Sequence, residues 1–241
     1  MKTVQVRKNA FLVLGVFVFV AVALSGCLKQ TANSTPAPKT YISLMHLAPW
    51  SPAVEVYFND KQASSAIAAG AVSSSYSALD PGVYAISFKK AGADSVVASL
   101  SSSLYDSSEY STLLLYNIDS THVGATKIDD DYSLLSTDKS IVRFFHMAPE
   151  IEDVDVYFGS TLFSSNRSFA DNVYSSYYNQ FSSLTPASFT VTVKKAGSDS
   201  TIATLNNVTF NGYGAYTIYL RGRKGGTGAN ALGIDYLQSV D

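Results

Sequence analysis

Apolar and polar residues alternate along most of this chain with the period of two that is typical of β-strands. The pattern predicts strands at residues 41–46 and 54–58, and both segments recur one hundred positions later. Such a repeat at a fixed offset indicates a duplicated unit. One face of each strand should be buried, and the opposite face, with Ser43 in one copy and Arg143 in the other, should point towards water.

A His-x-Ala-Pro motif ends the first predicted strand of each copy. It runs from His46 to Pro49 and again from His146 to Pro149. A histidine in this place can serve as a metal ligand or general base. We favour a structural role, because each histidine continues a buried alternation and precedes a turn whose backbone groups need partners.

A later hairpin recurs at an offset of 105 residues instead of 100. Its Pro81-Gly82 pair predicts a type II turn, and Ala187 in the second copy predicts a different turn. The second copy therefore carries five extra residues before this hairpin. We expect residues 164–179 to form an enlarged loop or sheet edge, since loops absorb insertions.

The strand pattern predicts an all-β protein of two tandem β-sandwich domains, at residues 40–137 and 138–241. Each copy has about a hundred residues, which is enough to bury a core. No helical stretch is predicted. The joint at residues 136–139 is too short for wide independent movement of the domains.

The amino terminus has the pattern of a secretory signal at residues 1–26. Three basic residues precede an apolar run at residues 10–24, which is shorter than the ~20 residues of a membrane-spanning helix. The alternative is an uncleaved membrane helix with an incidental cysteine. The residues that end the run are Leu24, Ser25, Gly26 and Cys27.

This ending resembles the lipobox of bacterial lipoproteins. The resemblance implies cleavage before Cys27, acylation of that cysteine, for example with palmitate, and a flexible tether at residues 27–39. It also implies a lipid-anchored protein of the bacterial cell envelope, at the outer membrane, with its face unresolved. Several acyl chains on one cysteine give stable attachment, whereas one chain is marginal.

Charge and cysteine content narrow the classes of partner. Removing Lys2, Arg7 and Lys8 with the signal lowers the basic side chains from 17 to 14, against 19 acidic ones. The mature chain is therefore mildly acidic, and without a basic block we expect no nucleic-acid partner. The single cysteine cannot form an internal disulfide, so both cores depend on packing.

Other candidate chemistry has weak sequence support. The acidic run at residues 129–131, or Asp153 with Asp155, could bind calcium, but the spacing lacks a calcium-loop pattern and a solvated linker is the better interpretation of the run. The glycine-rich residues 222–228 lack the order of a phosphate loop and predict a hairpin connection. No Gly-x-Ser-x-Gly motif occurs. We therefore predict no catalytic residues, cofactor or metal.

Four motifs together resemble the bacterial domain of unknown function 4397, across nearly all of residues 40–241. They are the His-x-Ala-Pro turn, a Val-acid-Val-Tyr strand at 54–57 and 154–157, a Leu-x-Pro turn at 79–81 and 184–186, and a closing Asp-Tyr pair at 131–132 and 235–236. The resemblance implies an immunoglobulin-like or transthyretin-like β-sandwich. The family has no agreed activity.

The function that we expect is a non-catalytic binding or scaffolding module, held at the membrane by its lipid. Its partner would be an envelope protein or a glycan. The first alternative is glycan binding by Tyr174, Tyr177 and Tyr178, which could stack on sugar rings, although strand tyrosines often pack inside a sandwich. The second alternative is an envelope hydrolase with a site between the two sandwiches.

Overall fold

The computed structural model describes residues 37–240, and its strands form four four-stranded sheets. The first half, residues 38–137, contains β1 (Thr40–His46), β2 (Val54–Phe58), β3 (Lys61–Gln62), β4 (Ser77–Leu79), β5 (Gly82–Lys90), β6 (Val96–Tyr105), β7 (Tyr110–Asn117) and β8 (Val123–Asp129). The predicted signal peptide, the predicted acylation site Cys27 and the predicted tether up to residue 36 lie outside the described residues.

The second half, residues 138–240, repeats this order of strands and adds a short helical segment. Its strands are β9 (Ser140–His146), β10 (Val154–Phe158), β11 (Thr161–Arg167), β12 (Ser182–Leu184), β13 (Ala187–Lys195), β14 (Thr201–Phe210), β15 (Ala215–Arg221) and β16 (Gly233–Val240). The helix α1 (Asp171–Tyr174) and 3-10 turns at Ser176–Asn179 and Gly228–Asn230 are short exceptions to the helix-free prediction.

The two halves have the same sheet topology. In the first half the sheets have the orders β4-β1-β7-β8 and β3-β2-β5-β6, and in the second half β12-β9-β15-β16 and β11-β10-β13-β14. The pairs β1–β7 and β9–β15 are parallel, and the other named pairs are antiparallel. The all-β prediction is confirmed, with each half forming a sandwich of two sheets.

Each sandwich has its own apolar core between its two sheets. In the first half this core includes Ile42, Leu44, Val54, Val56, Ile86, Phe88, Tyr105, Leu113 and Leu115. In the second half it includes Val142, Phe144, Val154, Val156, Phe158, Val191, Val193, Phe210, Ile218 and Leu220. These are the alternating positions that the sequence predicts to be inward-facing.

A third apolar cluster joins the two halves. It contains Met45, Leu47, Leu114, Tyr116 and Ile128 from the first half and Phe145, Met147, Ala170 and Tyr219 from the second. The sheets that contain β1 and β9 therefore pack against each other through their outer faces. Residues 38–240 belong to one compact unit.

Burial of both faces overturns the prediction that Ser43 and Arg143 point towards water. Ser43 is 3% exposed and Arg143 is 2% exposed. Strands β1 and β9 are covered on one face by their own sandwich and on the other by the opposite half. Such doubly buried strands carry near-continuous apolar runs, as residues 113–116 in β7 do.

The strand register corrects two further predictions. Gly82 has no positive φ and already pairs with Tyr105 in the β5–β6 ladder, so the predicted type II turn is wrong. Asp235 pairs with Tyr219 in the place where Thr126 pairs with Leu114, so the Asp-Tyr pairs of the two copies do not correspond. Residues 222–228 do lie in the connection between β15 and β16, as predicted.

Candidate functional site

The two motif histidines are fully buried at equivalent positions. The Nε2 atom of His46 lies 3.3 Å from the carbonyl oxygen of Pro52, and that of His146 lies 3.2 Å from the carbonyl oxygen of Glu152. Because a carbonyl oxygen only accepts, the proton belongs on Nε2 in both rings. Burial lowers the pKa of both imidazoles. Each ring therefore ties the end of a central strand to the loop that follows.

The prolines of these motifs lie in the turn between the central strand and its successor. Pro49 and Pro149 are both buried. A proline here fixes φ and has no N–H that would need a partner inside the protein. The whole motif therefore shapes the connection from one sheet of a sandwich to the other.

A buried ion pair links the two halves. Arg143 Nη2 lies 2.7 Å from Asp130 Oδ1, with the side chains 1% and 0% exposed. The Arg143 Nε–H donates to Thr217 Oγ1 at 2.9 Å, and the guanidinium lies 4.3 Å from the ring centroid of Phe181. The middle aspartate of the acidic run is thus a buried partner of Arg143, and the prediction of a solvated linker is wrong for it.

The second oxygen of this carboxylate is also fully engaged. Asp130 Oδ2 accepts hydrogen bonds from Thr112 Oγ1 at 2.7 Å and from the Tyr76 hydroxyl at 2.6 Å. Burial, followed by the charge of Asp130, raises the pKa of Tyr76. The described residues contain no group of three or more His, Cys, Asp or Glu side chains placed to hold a metal ion.

The tyrosines that we singled out as ligand contacts lie in the segment that is longer in the second half. Gly70 N donates to His46 O, and Ala170 N donates to His146 O in the same way, so the extra residues follow Ala170. The extra residues of the second half therefore lie in the helical part of the segment that was predicted to be enlarged. Tyr174 is 77% exposed and Tyr177 is 71% exposed.

Tyr178 differs from the other two tyrosines. Its ring lies 4.3 Å from the guanidinium of Arg167, which is itself buried and bonded to Asp171. Tyr178 therefore helps to hold the helical segment on the sandwich. Tyr174 and Tyr177 are left as the exposed aromatic pair.

An apolar pocket of about 580 Å³ opens between the two sheets of the first half. Its walls come mainly from alternate core positions of the strands, and its rim comes from the connection between β2 and β4. The apolar lining residues are Ile42, Leu44, Val56, Phe58, Ala63, Ile67, Ala78, Leu79, Tyr84 and Leu113. A concave apolar site of this size is within the range of small-molecule pockets.

The second half fills the corresponding place with its own side chain. The pairings Phe58–Lys61 and Phe158–Thr161 are equivalent, which sets Ala63 and Phe163 in corresponding positions. The Phe163 ring packs 4.5 Å from the ring of Phe158. The pocket therefore exists where the first half has alanine in place of phenylalanine.

Two of the four serine hydroxyl groups that line the pocket accept hydrogen bonds from the backbone. Val56 N donates to Ser64 Oγ at 2.9 Å, and Leu44 N donates to Ser73 Oγ at 3.2 Å. The buried Ser43 hydroxyl, which also belongs to the lining, has no hydrogen-bond partner. Lys61, which is exposed at the rim, is the one charged residue among those that line the pocket.

Sequence reasoning missed this pocket. The signal was present in the repeat, because residues 58–64 and 158–164 align without a gap and differ in side-chain size at one inward position. Which of two aligned positions faces a cavity depends on the fold, so the substitution alone does not predict a pocket.

His122 is the third histidine and lies in an exposed loop. Its Nδ1 is 2.7 Å from Asp119 Oδ2, and the two side chains are 72% and 52% exposed. Hydrogen bonds from Thr121 are the main cause of the lowered pKa of Asp119. Within residues 37–240, no helix is long and apolar enough to cross a bilayer.

Comparison with protein families matches one half of the chain and the start of the other. Residues 40–157 match the model of the family described as domain of unknown function (DUF4397). The match covers the first sandwich together with β9 and most of β10 of the second. No curated protein matches the chain. The family description assigns no activity, so function has to be argued from the site.

Proposed function

We propose that this chain, in which residues 40–157 match the DUF4397 family, is a lipid-anchored protein of the bacterial cell envelope that acts as a non-catalytic binding module. The lipid would be carried by Cys27, at the outer membrane, and residues 28–39 would connect it to the sandwiches. The second half would be a second domain of the same family. The lipobox-like tetrapeptide and the shared sheet topology support these two steps.

The observation that carries the binding role is the pocket of the first half. Its walls are apolar, and Phe163 occupies the equivalent place in the second half. Apolar side chains stay exposed to water at a free-energy cost of roughly 25 cal/mol per Å². A protein that closes this gap in one half and keeps it in the other is expected to fill it with a ligand.

The buried polar groups support a role without catalysis. His46 and His146 face backbone carbonyl groups, and Arg143 and Asp130 neutralise each other between the halves. The envelope hydrolase that we considered would need a histidine and acids converging on a cleft between the sandwiches. Here the described residues between the sheets are mainly packed apolar side chains.

Anchoring is tested by metabolic labelling of cells with an alkyne analogue of palmitate. We expect the wild-type protein to be labelled and Cys27→Ser to be unlabelled and released from membranes. Protease treatment of whole cells then shows on which face of the outer membrane the protein lies, because only protein on the outer face is digested. Labelling that persists in Cys27→Ser would contradict the proposal.

Binding is tested by native mass spectrometry of the mature chain after incubation with a total envelope extract. We expect a bound component on the wild type and none on Ala63→Phe, which introduces the residue of the second half. An extract from which the wild type retains nothing would refute the binding role.

Glycan binding is a second candidate, which the exposure of Tyr174 and Tyr177 favours. Exposed aromatic rings on a short segment can stack against sugar rings. A glycan array with wild type and Tyr177→Ala tests it, with Tyr213→Ala as a control for loss of an exposed tyrosine elsewhere. Equal signals from Tyr177→Ala and wild type would remove this candidate.

A further inference from the structure

The pocket of the first half suits the hydrocarbon part of a ligand. Ile42 and Leu44 are core residues of β1 and are each 8% exposed, whereas most members of this core are fully buried. Their residual exposure is towards the pocket that they line. A ligand that covers this surface would complete the core between the sheets, and apolar burial would provide the affinity.

The second half shows which chemistry fits the gap. There, Phe163 and Phe189 both pack on Phe158, with ring centroids 4.5 Å and 5.7 Å away. The second half thus accommodates a purely apolar group at this place. The first half has the smaller Ala63 in the equivalent of Phe163, and Ala63 is exposed.

Apolar side chains form most of the pocket lining, and three of its hydroxyl groups already have hydrogen-bond partners. Ser64 and Ser73 accept backbone N–H groups, and the Tyr84 hydroxyl donates to the carbonyl oxygen of Asp80. A ligand with polar groups along its length would therefore find few partners for them on these walls. The pocket favours hydrocarbon for the buried part of the ligand.

The positive charge of Lys61 at the rim indicates which head group the other end of the ligand carries. Lys61 lies at the edge of the pocket and takes part in no ion pair within the part of the chain that the structure describes. An ammonium group beside an apolar pocket favours an anionic head group that remains in water. Gln62, the neighbouring exposed residue, offers further hydrogen bonds at the same edge.

We propose that the pocket of the first half binds a single-chain anionic amphiphile, with its hydrocarbon chain between the sheets and its carboxylate or phosphate at Lys61. This deepens the proposed function, and it rests on the binding role proposed above. Fatty acids and lysophospholipids share this chemistry, and the experiment distinguishes them. The volume of about 580 Å³ is that of a site for one small ligand.

The proposal is tested by calorimetric titration of the mature chain from residue 27, carrying Cys27→Ser so that detergent is not needed. The ligands are octanoate, decanoate, dodecanoate, 1-dodecanol and lauroyl lysophosphatidylglycerol, each below its micelle concentration. We expect the affinity to rise about fourfold for each added methylene, which corresponds to ~0.8 kcal/mol of apolar transfer. The anionic twelve-carbon ligands should bind more tightly than the alcohol.

Two variants locate the site. Ala63→Phe should weaken dodecanoate binding at least tenfold, since the ring would occupy the space that Phe163 occupies in the second half. Lys61→Gln keeps a polar rim residue and should remove the preference for dodecanoate over dodecanol. Neither variant changes a residue of the second half, and circular dichroism checks that both variants remain folded.

The outcomes test the binding role and the identity of the ligand separately. Equal affinity for all chain lengths, or full dodecanoate binding by folded Ala63→Phe, overturns the amphiphile assignment. If that assignment fails while an envelope component still binds wild type and not Ala63→Phe, the binding role stands with another ligand. Tighter binding of the lysophospholipid would indicate that the ligand comes from membrane lipid. Tighter binding of dodecanoate would indicate that the ligand is a free fatty acid.

Discussion

The ion pair between Arg143 and Asp130 provides a direct test of how the two halves depend on each other. Replacing Asp130 with alanine leaves the Arg143 guanidinium without its charge partner, 1% exposed between the sheets. It also removes the acceptor for the hydroxyl groups of Thr112 and Tyr76. The variant changes no residue of either sandwich core.

The expected loss is large because the remaining charge is buried. Removing one partner of a buried ion pair typically costs about 3–5 kcal/mol, against a total unfolding free energy of about 5–15 kcal/mol for a domain. For a unit of this size, that corresponds to a fall in Tm of roughly 6–20 °C. The double variant Asp130→Leu, Arg143→Met should recover most of the loss, since apolar replacements of a buried pair are often neutral or stabilising.

The assay is urea unfolding followed by two probes. Trp50 is the single tryptophan and reports on the first half, whereas far-ultraviolet circular dichroism reports on both halves. The shared apolar cluster between the halves predicts coincident transitions for the wild type. Asp199→Ala, which removes an exposed pair with Lys194, is the control and should leave the midpoint unchanged.

Two results would refute this reasoning. A loss below about 1 kcal/mol in Asp130→Ala would mean that water or another group compensates Arg143, contrary to its burial. Separate transitions by the two probes in the wild type would mean that the halves unfold independently and that the shared cluster contributes little.

Two further predictions concern pH and backbone space. Burial lowers the pKa of His46 and His146 below their ordinary value of 6.5, so the unfolded chain binds more protons as the pH falls below 6.5. We expect the free energy of unfolding to fall with decreasing pH there, by at most about 1.4 kcal/mol per pH unit for each histidine, and His46→Gln should reduce the slope in urea titrations. Gly222 and Gly225 both have positive φ, but a Cβ on Gly222 would lie 2.1 Å from the Ala231 carbonyl oxygen whereas one on Gly225 meets nothing within 4 Å. Thermal melts should therefore show a clearly larger loss for Gly222→Ala than for Gly225→Ala, and equal losses would contradict the described loop.

The sequence predicted those features that depend on local alternation. The strands around His46 and Val56, their repetition, and the place of the glycine-rich connection all follow from side-chain periodicity and turn chemistry. Burial of the second face of the central strands does not follow from the sequence, because alternation identifies one buried face and does not show what covers the other. Arg143 in particular has the sequence context of a surface residue, and only its contact with Asp130 makes it an interior one.

The candidate site was less predictable because it depends on a difference between the halves. The exposed positions of Tyr174 and Tyr177 agree with the expectation of an enlarged segment in the second half. Predicting the pocket requires knowing that Ala63 and Phe163 point between the sheets at the open edge of each sandwich. An alignment of the repeats shows that the two residues differ, but only the strand register shows that they face this space.

The stacking of the two sandwiches explains why the halves differ where they do. Strands β1, β7, β9 and β15 are covered on both faces, so nearly every substitution in them would create a cavity or a clash. The connection after β2, and its equivalent after β10, lies at the open edge of each sandwich and has no such constraint. In the first half this connection forms the rim of an apolar pocket, and in the second it fills that space with Phe163 and adds an exposed aromatic segment. The two halves therefore differ at the open edge of each sandwich, and we expect this protein to bind its ligands at these two edges.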